Sequence, residues 1–407
     1  MTNETTINKK SILDMRVVDF INDLLFAVFI FNTVLLPNDT FNLKIVSLGA
    51  LLLFNLPYIL KNNGVDKKVV FWGGLVLPSV LILWSIFLTK DLVGNIKYGY
   101  VLYILALSCV IRKDELHFLP VMMFSLRALV VITLGLFFLD FTGISTLSDN
   151  SLAQFLHNSD NAMIGKTAES LLGYVIFLKA SPLVIFLMIY DMKRRKYIWA
   201  ILSLGAMILS GTRANALTSV AVFVVYVLFL EKDKKTKTLF LIFFVAVAVL
   251  FAHKIVDKLV ELFVLKAGSD SVRSGHLQGI IETWKTNPLS FFTGVGYTAK
   301  FYSYGIDAMT YNVELSYWNL LRQLGIFGFA ALMAVYIYPM VIQLKRKINM
   351  CFILAQLGYM IISYTNPFLF STTGASMLLL AYYLAYGEEI KKEKSNEMLA
   401  GIKNIQG

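Results

Sequence analysis

Two arginines and one glutamate are the residues of this sequence whose types could support chemistry on an anionic substrate. Arg213 lies in the stretch AMILSGTRANALTSV, between two apolar runs, and Arg273 lies in a longer polar segment further along the chain. Planar guanidinium groups hold phosphate oxygens through paired hydrogen bonds, so two such arginines suit a phosphate or a pyrophosphate. Glu314 comes just before the chain enters the next apolar run. It is the best candidate for a general base that takes a proton from a hydroxyl group.

Each of these residues also has a plainer interpretation. Arg213 could extend its charged group to a membrane interface, although an arginine in so short an outer segment breaks the charge pattern described below and favours a function. Arg273 alone would be a solvated surface residue, and its significance comes from its neighbours. Glu314 could simply stabilise the N-terminus of a helix. His276 is a second candidate base, although a single histidine in a loop is more often solvated.

Three residues around the next apolar run are candidates for binding a substrate. Arg322, in NLLRQLG, could be a third ligand for an anion or an anchor at the membrane interface, and the sequence favours neither. Tyr311 and Tyr317 belong to an aromatic-rich stretch that could stack on the faces of sugar rings. An aromatic belt at the membrane surface explains the same tyrosines equally well.

Two basic residues lie inside apolar runs. Arg127 is in LPVMMFSLRALVVITLGLFFLD, and Lys179 is in YVIFLKASPLVIF. Ionisable side chains at membrane depth are functional candidates by default, and either residue could line a cavity for a lipid phosphate. Arg127 could equally pair with a carboxylate such as Asp140 or Asp23 for structural reasons.

The composition predicts the elements that must position these side chains. Hydrophobic residues make up 57% of the 407 residues and charged residues only 15%, against roughly 25% charged residues in a soluble domain. Mean hydropathy is +0.68. These values predict an all-α, polytopic integral membrane protein that forms one domain over 1–407. About twelve apolar runs are candidates for membrane spans: 17–36, 43–60, 69–89, 95–111, 116–140, 171–190, 197–211, 214–230, 238–253, 324–344, 349–366 and 369–387.

The charge pattern predicts the orientation of these spans. The net charge of +11 comes largely from lysines and arginines in alternate short loops, which indicates the positive-inside rule rather than a nucleic-acid partner. Both termini are then cytoplasmic, and two long segments, 141–170 and 254–323, are extracytoplasmic loops. The sequence has no phosphate-binding GxxxxGK[ST] loop, no HExxH motif and no Cys/His cluster, so we expect neither a metal nor a cofactor.

Four short elements, taken in order, resemble the O-antigen polymerase and ligase superfamily. The first is a Gly-Thr-Arg at the outer end of a span, and the second is an arginine in the large late loop. A Pro-Leu with a Gly-x-Gly follows, and the last is a Gly-apolar-apolar-Gly where the chain re-enters the membrane. In this chain the elements are Ser210, Gly211, Thr212 and Arg213; Arg273; Pro288, Leu289, Gly294 and Gly296; and Gly325, Ile326, Phe327 and Gly328. Ligase members commonly have His-Asn where this chain has Glu314-Leu315, which favours a polymerase.

The resemblance implies a fold with about twelve spans, similar to GT-C glycosyltransferases, in a bacterial cytoplasmic membrane. It implies metal-independent polymerisation of undecaprenyl-pyrophosphate-linked repeat units into a surface polysaccharide such as O-antigen or capsule. Partners would be those lipid-linked glycans, membrane lipids and a chain-length regulator protein. Arg213 and Arg273 would stabilise the leaving pyrophosphate, and Glu314 would deprotonate the acceptor hydroxyl. Two alternatives stay open, namely a ligase that transfers the finished glycan and a flippase that only moves a lipid-linked sugar.

Overall fold

A computed structural model describes residues 7–61, 69–108, 118–168, 170–265 and 267–386. The predicted cytoplasmic tail from 388 onward lies outside the described residues. The first half of the described chain is helical apart from one hairpin. Its helices are α1 (Ile7–Leu35), α2 (Leu43–Phe54), α3 (Leu56–Lys61), α4 (Leu77–Thr89), α5 (Leu92–Gly99), α6 (Phe118–Phe141) and α7 (Ser151–Asn158). A π-helical turn, Val69–Val76, precedes α4, and a 3-10 helix, Tyr100–Leu107, continues α5.

The hairpin and the later helices complete the fold. The hairpin consists of β1 (Ala162–Lys166) and β2 (Tyr174–Leu178), and a shorter one consists of β3 (Phe301–Ser303) and β4 (Ala308–Thr310). The later helices are α8 (Val184–Lys193), α9 (Tyr197–Leu209), α10 (Arg213–Val225), α11 (Lys234–Leu265), α12 (Ala267–Thr286), α13 (Ser290–Thr293), α14 (Ser316–Arg346) and α15 (Cys351–Ile362). A last helix, α16, covers 372–386.

Several helices are long and apolar enough to cross a membrane. Four described segments have both the length and the composition, namely Phe71–Thr89, Phe118–Phe141, Arg213–Leu230 and Ser316–Arg346. A bilayer core of about 30 Å needs about 20 residues at a rise of 1.5 Å per residue. Five further apolar helices of the described chain are shorter than 18 residues. The structure is therefore mostly helical and has the apolar helices of a membrane protein, and the count of twelve spans stays a prediction.

The predicted span 171–190 is wrong as one continuous helix. Its first part, Tyr174–Leu178, forms the strand β2, which pairs antiparallel with β1 so that Ala162 lies opposite Leu178. β-Branched and aromatic residues in YVIFL favour a strand. A 3-10 turn over Ser181–Leu183 then leads into α8, and Pro182 lies at the start of this helical segment, where its missing N–H is tolerated. The remaining apolar residues form a helix that is buried all round, since Leu183 to Ile189 are inaccessible to solvent.

The predicted extracytoplasmic loop 254–323 is in large part helical. Helix α11 continues through 254–265, and α12 covers Ala267–Thr286, so Arg273 lies on a helix rather than in a loop. The apolar stripe of α12 is confined to its second half, where Leu277, Ile280 and Trp284 pack in one cluster. A Cβ on Gly275 would lie 2.2 Å from the Gly305 amide nitrogen, and one on Gly279 would lie 2.2 Å from the Tyr302 carbonyl oxygen. Two glycines thus bring the β3–β4 hairpin close to the α12 backbone, beside this apolar stripe.

The basic loops converge at one end of the helix bundle. Lys193 donates to Asn349 Oδ1 between the end of α8 and the start of α15. The Tyr197 hydroxyl donates to Glu231 Oε2 at 3.2 Å, which joins the start of α9 to the residue after the Arg213–Leu230 segment. Helix α10 begins with Arg213 and runs toward this basic end. Its first turn therefore lies at the opposite end of the bundle.

Candidate active site

A chain of ion pairs joins the three residues that the sequence predicted as catalytic. Arg213 Nη2 and Arg273 Nη1 both donate to Asp270 Oδ1, at 2.8 and 2.9 Å. Arg273 also donates to Glu314 Oε2, from Nη2 at 3.0 Å and from Nε at 3.2 Å. The four side chains carry two positive and two negative charges. Residues up to about a hundred positions apart in the sequence are thus brought to one place.

Arg213 is positioned by a tight turn between α9 and α10. Gly211 has a φ of +72°, and a Cβ there would lie 2.6 Å from Val175 Cγ2 and 2.8 Å from the Tyr174 carbonyl oxygen. Only glycine fits so close to β2 with this backbone. Thr212 caps α10, because its hydroxyl accepts from the Asn215 amide at 3.3 Å. The turn therefore presents Arg213 in the first turn of α10, beside the hairpin.

Asp270 and Arg273 are positioned by α12. They are three residues apart on one helix, so their side chains lie on the same face. Glu314 lies two residues before α14, where the Ser316 hydroxyl donates to the Asn366 carbonyl. Backbone hydrogen bonds also tie the first half of α14 to the turn that precedes it.

The Gly-x-Gly element and the Gly-apolar-apolar-Gly element contact each other directly. Gly325 interrupts α14 with φ 67° and ψ 174°, and a Cβ there would lie 2.2 Å from the Phe292 carbonyl oxygen and 2.5 Å from the Gly294 amide nitrogen. The Gly296 amide donates to the Gln323 carbonyl at 2.9 Å. The two glycine elements thus form one backbone junction, which fixes α14 at the point where Gly325 interrupts it.

The ion-pair chain lines a cavity of about 1110 Å³. Arg213, Asp270, Arg273 and Glu314 form its charged part, and Tyr317 contributes its ring. The Tyr317 hydroxyl is already used, since it donates to the Met360 carbonyl at 2.9 Å. The apolar part of the wall comes from β2, α10 and α15 and includes Val175, Phe177, Leu217, Leu357, Met360 and Ile361. The cavity therefore combines a charged site with an apolar wall.

The electrostatics of the cluster distinguish its two carboxylates. Asp270 pairs with two arginines, and the hydrogen bond from Arg213 is the main reason that the pKa of Asp270 lies below its ordinary value. A carboxylate held in this way is a weak base. Glu314 pairs with Arg273 alone among the described residues. The arginine side chains are 17% and 22% exposed and the carboxylates 51% and 52%. The cations thus lie deeper, and Asp270, which bridges them, is the partner that an entering anion could replace.

Arg322 lies outside this cavity and bonds to protein groups of the described chain. Its side chain is inaccessible to solvent. It donates to the Ala299 carbonyl at 2.9 Å, to the Tyr311 carbonyl at 3.0 Å and to Asn319 Oδ1. Its guanidinium also lies 4.4 Å from the centroid of the Phe301 ring. These contacts hold the segment between the Gly-x-Gly turn and α14, so the structure gives Arg322 a structural role rather than that of an anion ligand.

The structure also places His276 and Tyr311 apart from the described cavity lining. His276 is 5% exposed, and its Nδ1 lies 2.5 Å from the Ser303 hydroxyl on β3. Burial lowers the pKa of His276. The histidine is therefore not solvated, and it packs α12 against the small hairpin. Tyr311 contributes its carbonyl to Arg322, and its side chain is 42% exposed.

The two basic residues predicted within apolar runs are each paired with an aspartate. Arg127 pairs with Asp191 on α8, so the predicted pairing with a carboxylate is confirmed, but the partner is neither Asp140 nor Asp23. Its guanidinium also lies 5.3 Å from the Trp199 ring centroid. Lys179 pairs with Asp160 at 2.7 Å. Neither Arg127 nor Lys179 is among the described residues that line the cavity.

Asp270 is the residue of the cluster that sequence reasoning missed. Asp270 and Arg273 are three residues apart in the sequence, which matches one helical turn, but the prediction of a loop over 254–323 gives that spacing no meaning. Lys166 and His157, from the segment 141–170, also line the cavity. In the described ranges no group of three His, Cys, Asp or Glu side chains could hold a metal ion.

Comparison with known proteins adds no family to these observations. No family model, curated protein or solved structure matches the chain.

Proposed function

We propose that this protein polymerises undecaprenyl-pyrophosphate-linked repeat units into a surface polysaccharide on the outer face of the bacterial cytoplasmic membrane. The fold would be a polytopic membrane domain with about twelve spans, similar to GT-C glycosyltransferases, and with cytoplasmic termini. The observation that carries the proposal is the cavity in which Arg213 and Arg273 lie beside an apolar wall. A lipid pyrophosphate has the same two parts, an anionic group and an apolar tail.

The proposed reaction is an inverting glycosyl transfer. Glu314 Oε1 accepts the proton of the acceptor hydroxyl, while Arg273 holds the other carboxylate oxygen. The acceptor oxygen forms a bond to the anomeric carbon of the donor glycan, and the bond from that carbon to the pyrophosphate oxygen breaks. Undecaprenyl pyrophosphate leaves with the electron pair, and Arg213 and Arg273 stabilise its charge. No nucleotide is required, because the lipid pyrophosphate is the leaving group.

The placement of the cavity supports an extracytoplasmic site. Arg213 is at the end of α10 opposite the convergence of the basic segments around Lys193, Glu231 and Asn349. Short basic loops are typical of the cytoplasmic side of a membrane protein. The cavity would then open toward the outer leaflet, where the lipid-linked repeat units are exposed after translocation.

The test is the length distribution of surface polysaccharide in a deletion strain that carries wild-type protein, Arg213→Ala or Arg273→Ala. Polymerisation predicts that the deletion reduces a ladder of chain lengths to a single repeat unit, and that neither variant restores the ladder although both insert in the membrane. Glu282→Gln, on the same helix as Arg273, is the matched control that should restore it.

Two outcomes would replace the proposal. Accumulation of long lipid-linked polymer that is not attached to its final acceptor would indicate a ligase. Transport of a lipid-linked oligosaccharide across proteoliposomes, without formation of a glycosidic bond, would indicate a flippase.

A further inference from the structure

A second cavity of about 530 Å³ adjoins the first. It is enclosed by the segment between α6 and α7, by α7 itself and by β1. Four residues line both cavities, namely His157, Ile164, Gly165 and Lys166. The two cavities thus share a wall, and we call the second one the polar pocket. Its volume lies within the range of roughly 300–1,000 Å³ that is usual for small-ligand sites.

Helix α7 presents three different sides. Ala153 and Leu156 are buried against the protein, whereas Leu152 and Phe155 are apolar and about 40% exposed. The third side carries polar residues with helical i, i+3, i+4 spacing, and it lines the polar pocket: Gln154, His157 and Asn158. Such a helix suits a membrane surface, with one side on the protein, one toward lipid and one toward an aqueous pocket.

The lining of the polar pocket is rich in neutral hydrogen-bonding groups. Thr146 and Ser148 contribute hydroxyls, which lie 2.8 Å apart, and Gln154 and Asn158 contribute amides. Hydroxyls and amides both donate and accept, as do the hydroxyl groups of a sugar. Neither arginine of the ion-pair cluster is among the residues described in this lining. The polar pocket therefore differs in chemistry from the first cavity, where two arginines face the ligand.

A fixed ion pair marks the boundary between the two cavities. Lys166 Nζ lies 2.6 Å from Asp140 Oδ2, and the Asp140 side chain is only 2% exposed. The Tyr174 hydroxyl donates to Asp140 at 2.8 Å, and the Leu147 amide donates to its other oxygen at 3.0 Å. This pair neutralises the lysine and ties the α6–α7 segment to the hairpin. An anion would have to compete with Asp140 for Lys166, whereas a neutral ligand would not.

We infer that the polar pocket is a saccharide subsite that holds the neutral, hydroxyl-rich sugar units adjoining the pyrophosphate-bearing sugar. The inference rests on the proposed function, which supplies the pyrophosphate at Arg213 and Arg273. His157 and Lys166 line both cavities. A glycan held by its pyrophosphate in the first cavity therefore extends past these two residues into the second. Gln154 and Asn158 then determine which repeat unit is accepted.

The experiment uses the full chain in nanodiscs and two probes. One probe is the repeat-unit oligosaccharide released by mild acid from the strain's own polysaccharide, titrated by saturation-transfer NMR. The other is inorganic pyrophosphate, titrated by phosphorus NMR. We expect Gln154→Ala with Asn158→Ala to weaken oligosaccharide binding by at least about tenfold, as the loss of one or two hydrogen bonds implies, and to leave pyrophosphate binding within about twofold.

Further variants keep the inference falsifiable. Gln154 also donates to the Ser148 carbonyl, so Asn158→Leu alone tests the pocket without loss of that bond. Gln278→Ala, an exposed amide on α12, is the matched control and should bind both probes like the wild type. Undiminished oligosaccharide binding by Asn158→Leu and by the double variant would overturn the subsite, and so would wild-type protein that binds no oligosaccharide.

The same strains separate this inference from the proposed function. If the wild type binds the oligosaccharide through Gln154 and Asn158 but the deletion strain keeps its ladder, the saccharide subsite stands and the polymerase proposal fails. If the deletion strain loses its ladder and the pocket variants bind normally, the polymerase stands and the subsite fails.

Discussion

Arg273 donates two hydrogen bonds to one oxygen of Glu314, from Nε at 3.2 Å and from Nη2 at 3.0 Å. The two residues lie 41 positions apart in the sequence, on α12 and just before α14. The remaining arm of the guanidinium, Nη1, bonds to Asp270. One planar group therefore fixes the orientation of both carboxylates, which a point charge on a flexible side chain cannot do.

The planar guanidinium of Arg273 donates from three nitrogens in a fixed fork-shaped geometry. This geometry predicts that Arg273→Lys is not a conservative change. Arg273→Ala should lower kcat for chain elongation by about 100-fold or more, since removal of one preorganised donor typically costs about 10² to 10³. Arg273→Lys keeps the charge but loses the fork, so we expect an intermediate loss of about tenfold. Elongation of lipid-linked repeat units by purified protein in proteoliposomes measures both. An Arg273→Lys rate equal to that of the wild type would contradict a role for the fork.

Asp270 should be needed for chain elongation, although it does not react with the substrate. Asp270→Asn removes the charge that aligns Arg213 with Arg273, and we expect a loss of elongation of about 10- to 100-fold with the protein still folded. Glu282→Gln is the control, because it breaks only the exposed pair with Lys285 on the same helix, and such pairs contribute little to stability. Equal elongation by the two variants would show that the pairing of Asp270 with the two arginines is dispensable.

Residue types and motif order predict Arg213, Arg273 and Glu314 as site residues, but not the contacts between them. Arginines and a carboxylate suit a lipid pyrophosphate, and the structure joins these three side chains in one cluster. Asp270, the residue that joins the arginines, lies in the first half of α12, where Val272 is the only large apolar residue. The apolar stripe of this helix, Leu277, Ile280 and Trp284, begins after Arg273. Gly275 and Gly279 add close backbone contacts, and pattern reasoning has no access to such contacts.

The wrong prediction of one continuous span over 171–190 also reflects contacts that the sequence pattern does not show. The run from 171 to 190 is largely apolar, with Lys179 and Pro182 near its middle, and hydropathy alone does not distinguish a span from a strand followed by a buried helix. Arg322 was predicted equally as an anion ligand or an anchor. Its contacts with the Ala299 and Tyr311 carbonyls depend on a loop conformation that residue types do not specify.

The backbone junction at Gly325 predicts that one added methyl group lowers the free energy of unfolding substantially. Gly325→Ala would place a Cβ 2.2 Å from the Phe292 carbonyl oxygen at a positive φ, and we expect a loss of roughly 2–4 kcal/mol of stability. The control is Gly135→Ala in α6, where a Cβ meets no atom of the described chain within 4 Å. It should be neutral or slightly stabilising. Thermal unfolding of the two variants in detergent measures the difference, and similar midpoints would contradict the junction.

Arg127 should behave as a structural residue and not as a ligand for lipid phosphate. Asp191 is fully buried beside it, so Arg127→Met leaves an unpaired buried carboxylate. We expect this change to lower the free energy of unfolding by about 3–5 kcal/mol. The double variant Arg127→Met with Asp191→Leu should recover much of this loss, because both charges are removed. Unfolding midpoints of the single and double variants test the pair. A stable Arg127→Met protein with weakened lipid binding would instead support the phosphate site.

The buried His276 predicts a loss of stability as the pH falls. Burial lowers the pKa of His276 below its ordinary value of 6.5, so the unfolded chain takes up a proton at a pH where the folded imidazole does not. Stability from this group is complete above pH 6.5 and declines as the pH falls from there through the folded-state pKa.

The measurement is the unfolding midpoint between pH 7.5 and 5. His276→Gln should flatten the pH dependence relative to the wild type, whereas His157→Gln, at an exposed position of α7, should leave it unchanged. Parallel curves for His276→Gln and the wild type would mean that the packing of His276 against Ser303 does not oppose protonation.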